Sequence, residues 1–163
     1  MAVTLKVTAS GIPPQVLQDL DRRLRDFGPV RRDFGERMLR SIQKNFSAGG
    51  RPEAWAPSQR VLKRGGKTLI NSGRLKNSIT YRLEGQDLVV GTNVVYAAAH
   101  QFGVDKQVSG PAHTKQSVDG RRLRVGSKSR HMRRPARPFL LIQDEDLVYL
   151  GKQIKRHLLR GDL

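Results

Sequence analysis

A chain of 163 residues, 37% of them hydrophobic, is long enough for one domain with a buried core, so it is not a disordered linker. Its 31 Lys and Arg against 14 Asp and Glu leave a net charge of +17, an excess that implies an anionic partner or environment. The absence of cysteine excludes disulfides and thiolate metal sites. The longest apolar run, Val94 to Ala99, falls far short of the ~20 residues of a membrane span.

The opening MAVTLKVTAS has a polar residue at every second position, which is wrong for a signal peptide. A soluble protein working in a cytoplasm-like setting is therefore expected. Val3, Leu5 and Val7 share one face of a short strand over 3–9, and GIPP breaks it. Val16, Leu20, Leu24 and Phe27 recur at helical spacing with Asp and Arg between them, which predicts an amphipathic helix. Gly28-Pro29 ends it. Val30, Phe34, Met38, Ile42 and Phe46 then recur every four residues in a longer second helix that closes at Ala48-Gly49-Gly50. Gly35 lies inside that stripe and is expected to weaken it by ~1 kcal/mol relative to Ala.

Gly and Pro punctuate 50–72, so a loop with one short helical turn is expected there, pinned to the body by the single Trp, Trp55. Ile79, Tyr81 and Leu83 alternate, Glu84-Gly85-Gln86-Asp87 supplies a turn, and LVVGT returns; this is a hairpin pattern. YAAAHQFG, residues 96–103, extends that strand or turns into a short helix, and its alanines favour helix.

From Val104 to Arg137 no periodic pattern is evident. A second hairpin with Asp119-Gly120 as its turn is plausible. Over 113–137 the cations are Lys115, Arg121, Arg122, Arg124, Lys128, Arg130, Arg133, Arg134 and Arg137, against Asp119 alone. Such a run repels itself unless something screens it, so an anion-facing arm is expected. It holds no aromatic residue, which favours phosphate contacts over base stacking. A final helix follows: Leu147, Leu150, Ile154 and Leu158 form its stripe, Asp144, Glu145 and Asp146 its start, and Lys152, Lys155, Arg156 and Arg160 its end.

No catalytic or cofactor pattern emerges. Gly65-Gly66-Lys67-Thr68 lacks the earlier glycine of a phosphate loop, because that position is Val61. His100, His113, His131 and His157 have no zinc-pair spacing. His100 is read as a structural residue bonded to its neighbours. The few carboxylates sit among arginines or at a helix start. Catalytic, cofactor and metal sites are all expected to be absent.

Together, NFSAGGRPEAWAPSQ, LINSGRLKNSI, VGTNVVYAAAHQFG, a basic stretch and RPFLLI resemble the phage virion morphogenesis family, the tail completion proteins of Mu-like and P2-like bacteriophages. The residues that carry the resemblance are Trp55, Gly73, Leu75, Tyr96, His100, Gln101, Phe102, Gly103, Arg137, Pro138 and Phe139. It implies a structural virion protein, made in the host cytoplasm, that completes the tail or joins it to the head at the neck. Its implied partners are copies of itself in a ring, expected to be a hexamer, with other neck, connector and tail proteins and duplex DNA in the channel, and no membrane. Arginines facing the lumen would then meet DNA phosphates, and those facing outward would meet acidic rims. The alternative is a general nucleic-acid-binding protein, ribosome-associated or DNA-packaging. The expected fold is one α+β domain over 1–163. In it a small, mainly antiparallel sheet packs with two N-terminal helices and a C-terminal helix, and a basic loop or hairpin arm is inserted at about 104–137. Phe102 and Phe139 are expected to anchor the arm's two ends in the core, and Gly103 to free the chain to turn outward.

Overall fold

The computed structural model describes residues 13–110, 113–116 and 122–159. The expected strand over 3–9, the Asp119-Gly120 turn and Arg121 lie outside the described residues, as does Arg160. The fold is α+β. Its helices are α1 (Pro14–Arg25), α2 (Gly28–Ala48), α3 (Gln59–Arg64), α4 (Arg74–Asn77), α5 (Ala97–Gln101) and α6 (Asp144–Leu159). Its strands are β1 (Thr80–Glu84), β2 (Asp87–Gly91), β3 (Val104–Gly110), β4 (His113–Gln116), β5 (Arg122–Val125) and β6 (Lys128–Arg134). The strands form three two-stranded ladders, β1-β2, β3-β6 and β4-β5.

The chain divides into two compact units. The first comprises the described residues up to Leu39, Tyr81–Val90, and those from Ile142 onward. Here Val30, Phe34 and Met38 on α2 are buried, as the four-residue stripe predicts. Gly35 has a specific reason to be glycine: a Cβ there would lie 2.5 Å from the Tyr81 ring. The missing side chain lets β1 bring an aromatic ring close against the helix, and the helix gives up intrinsic propensity for that contact.

The α6 stripe is less buried than its spacing suggests. Leu147 is 54% exposed, whereas Asp146 is 0% exposed. Asp146 accepts from Arg37 Nε at 2.8 Å and from the Gln143 backbone N–H at 3.2 Å. The second bond is the carboxylate half of a capping box, in which the third helical residue reaches back to the cap. Asp146 is thus an internal ion-pair partner as well as a helix-dipole residue. Tyr149 donates its hydroxyl to Asp33, and the Arg37 guanidinium lies 5.2 Å from the Tyr149 ring centroid. Helix α1 forms as expected, with Arg22 and Arg23 paired to Asp19. Its apolar residues Val16, Leu20 and Leu24 nonetheless stay 39–52% exposed.

The second unit comprises Arg40–Thr80 and the described part of Gly91–Leu141. Phe46 and Phe139 are both 0% exposed, with ring centroids 5.4 Å apart, and Trp55 meets Phe46 edge-on at 5.7 Å. Ile42, Leu75, Ile79, Val94 and Ala97 complete the apolar core. Asn45, also fully buried, donates to the Phe139 carbonyl at 3.0 Å and accepts from Arg51 Nε at 2.8 Å. The loop 50–72 is held by Trp55, whose indole N–H donates to Pro138 O at 3.1 Å. The Gly65-Gly66 segment is a turn after α3, and Thr68 turns inward to accept from the Ser58 backbone N–H.

Candidate partner-binding ribbon and its root

The arm is a two-stranded antiparallel ribbon. In the β3-β6 ladder Val104 faces Arg134, Asp105 faces Arg133, Lys106 faces Met132, Gln107 faces His131, Val108 faces Arg130 and Ser109 faces Ser129. The β4-β5 ladder pairs His113 with Val125 and Gln116 with Arg122. Two residues separate the ladders on each strand, so both run in the same frame. Opposed residues of an antiparallel pair share a face, and the two faces of β3-β6 differ in chemistry.

One face is satisfied within itself. Asp105 pairs with His131 at 2.5 Å and with Arg133 at 3.8 Å, and Gln107 donates to Ser129 at 2.8 Å. The other face carries Lys106, Arg130 and Arg134, all exposed, between the half-buried Val104, Val108 and Met132. Its β3-β6 positions include no carboxylate. The expected cations thus separate: Arg130 and Arg134 stand on the unpaired face, Arg133 is spent on Asp105, and Arg122 is exposed on β5. Lys115, Arg124 and Lys128 lie on β4, β5 and β6 by their backbone; their side chains lie outside what is described.

At the root of the ribbon, α5 confirms the helical reading of the alanine run. The aromatic anchor is the correction. Phe102 is 79% exposed, because α5 ends on it and the chain leaves the helix with the ring turned outward. The anchor is its neighbour. Gln101 Oε1 accepts from the backbone N–H groups of Phe139 and Leu140, each at 3.0 Å, and its Nε2 donates to Leu140 O at 3.2 Å. One carboxamide thereby clips the segment that follows β6 to the end of α5, which leads into β3. Phe139 is buried as expected. Gly103, at φ +77, has Arg134 O and Ala136 N 2.9 Å from where a Cβ would stand, so the strands approach too closely there for any side chain.

Arg137 points inward. Its Nε donates to Ala56 O at 2.8 Å, and its backbone N–H donates to His100 O at 2.7 Å. Burial, and then the nearby Arg134 charge, push its guanidinium below its usual pKa. His100 meets Tyr96 edge-on, 5.9 Å between centroids. Its Nδ1 is sealed from solvent with no hydrogen-bond partner. Burial, then Arg134 and Arg137, push its pKa below the ordinary value, so the ring is neutral near pH 7. Gly73 holds φ +77 at the start of α4, and Leu75 is buried behind it.

A family model described as the phage virion morphogenesis family matches residues 14–159. The chain belongs to this family. It is also 33% identical over 118 residues to the Mu-like prophage FluMu G protein 2 of Haemophilus influenzae, across 72% of this chain and 68% of that protein. No solved structure matches significantly. Membership in the virion morphogenesis family gives the chain a structural or assembly role in making a phage particle. Among the described residues, no helix is long and apolar enough to cross a membrane, and no group of three or more His, Asp or Glu is placed to hold a metal ion.

Proposed function

We propose that this virion protein completes the phage tail or joins it to the head at the neck, as a ring of copies around the DNA channel, with six as the expected number. The observation that carries the reading is the two-faced ribbon. A satisfied face and a cationic, carboxylate-free face suit an element that leaves its own body to meet something anionic. In a neck ring the available anions are the phosphates of passing duplex and the acidic rims of adjoining rings. The prophage origin of the similar Haemophilus protein supports the setting.

The test is mass spectrometry of intact purified virions. The expected result is this chain at a ring-like copy number; its absence from particles defeats the neck reading. A general nucleic-acid binder instead requires tight duplex binding by the isolated protein, with log affinity against log salt falling at about −0.9 per phosphate contacted.

A further inference from the structure

Beside the ribbon's root, and wholly within the second unit, lies a cleft of about 330 Å³. It is near the lower end of the ~300–1,000 Å³ typical of small-molecule sites. Its walls include Arg60, Ser72, Arg74, Tyr96, His100 and Arg137, and no carboxylate. Two of the guanidiniums are hydrogen-bonded but not neutralised. Arg60 donates to Lys67 O at 2.5 Å and Ile70 O at 2.8 Å, and Arg137 donates to Ala56 O at 2.8 Å. Carbonyls take some of the N–H groups and leave the charge in place. Arg74 is exposed and has no ion-pair partner among the described residues. Arg134 adds a further charge, close enough to act on both His100 and Arg137.

The imidazole contributes to the same site. Only Nδ1 of His100 is sealed without a partner. A neutral ring keeps one nitrogen bare, and a sealed, unpartnered nitrogen is the cheaper one to leave as acceptor. The proton then sits on Nε2, which becomes a further donor beside the arginines.

We infer that this cleft is a carboxylate-binding site, formed by Arg74, Arg137, His100 and Ser72, that takes an acidic side chain from a partner protein. Like charges gathered without a counter-charge favour an anion, and a guanidinium fork matches a carboxylate in two bonds. Shape selects the source. A Glu or Asp side chain on its stalk enters a concave cleft bordered by Tyr96, Leu69 and Leu75, whereas duplex phosphates stand on a convex rod that spans the mouth. The inference does not depend on the neck reading; a protein absent from virions would leave the cleft result intact.

The test uses the full chain at about 150 mM salt, where distant surface charges are screened, with a hexaglutamate peptide as probe. The His100 ring resonance, assigned with His100→Gln, is followed by NMR through the titration. The expected result is a saturable shift at one peptide per chain and a rise in the His100 pKa. Arg74→Ala should weaken binding at least about fivefold, Arg74→Lys should weaken it less, and Lys152→Ala, at an exposed cation on α6 outside both cleft and ribbon, should change it less than about twofold. Equal losses in the Arg74 and Lys152 variants would mean diffuse attraction and overturn the site. So would an unmoved His100 resonance, or a short duplex DNA that shifts it at the same concentration as the peptide.

Discussion

Removing the Gln101 side chain leaves the backbone N–H groups of Phe139 and Leu140 without their acceptor. A buried group stripped of its partner costs about 1–3 kcal/mol, so Gln101→Ala should destabilise the protein by about 2 kcal/mol in chemical denaturation. Phe102→Ala should change stability by less than about 0.5 kcal/mol, as for an ordinary exposed position. His100 predicts a pH dependence. Its folded pKa is depressed by burial and by Arg134 and Arg137, so the unfolded chain binds its proton more readily. The stability tied to the neutral ring is fully present above the ordinary value of 6.5 and is lost as pH falls through it towards the folded pKa. His100→Gln should therefore flatten part of the decline in melting temperature between about pH 7.5 and 5.5. Composition pointed to neither residue's role. A glutamine clip needs two distant segments brought together, and chain order gives no distance.

At the scale of elements, the apolar repeat made α2 readable along its length, because one face of it is buried. The ribbon was legible as a basic loop or hairpin arm, but the extent of its strands was not, for the converse reason. Neither face of β3 or β6 packs into a core, so nothing imposes the alternation by which a strand declares itself. The α6 stripe misled in part, since its one fully buried side chain is a carboxylate. Asp146→Ala would leave Arg37 without its closest ion-pair partner. The 3–5 kcal/mol typical of breaking a fully buried pair should shrink to about 2–4 kcal/mol, because Arg37 keeps some contact with water and with Glu145. The denaturation midpoint reads this directly. Gly35→Ala pits about 1 kcal/mol of helix propensity against a Cβ driven into the Tyr81 ring. The clash should win, with a net loss of about 1–2 kcal/mol, and the sign should reverse in a Tyr81→Ala background.

For the whole molecule, the proposed ring assigns the charge of +17 to assembly rather than to folding. Replacing Arg130 and Arg134 together with Glu touches no ion pair among the described residues. The melting temperature of the purified protein should hold within a few degrees, while the variant gene should fail to restore infectious particles to a phage lacking this protein. A normal particle yield would show that the cationic face is dispensable. The shared frame of the two ladders has one more consequence. Shortening the ribbon by one residue on each strand draws its tip in by about 3.4 Å and also swaps the sides presented by every rung beyond the cut. Removing two residues from each strand restores the original sides. Length changes that preserve function among related phages should therefore come in matched, even steps on both strands, so that the ribbon's reach can vary between particles while its charge keeps pointing the same way.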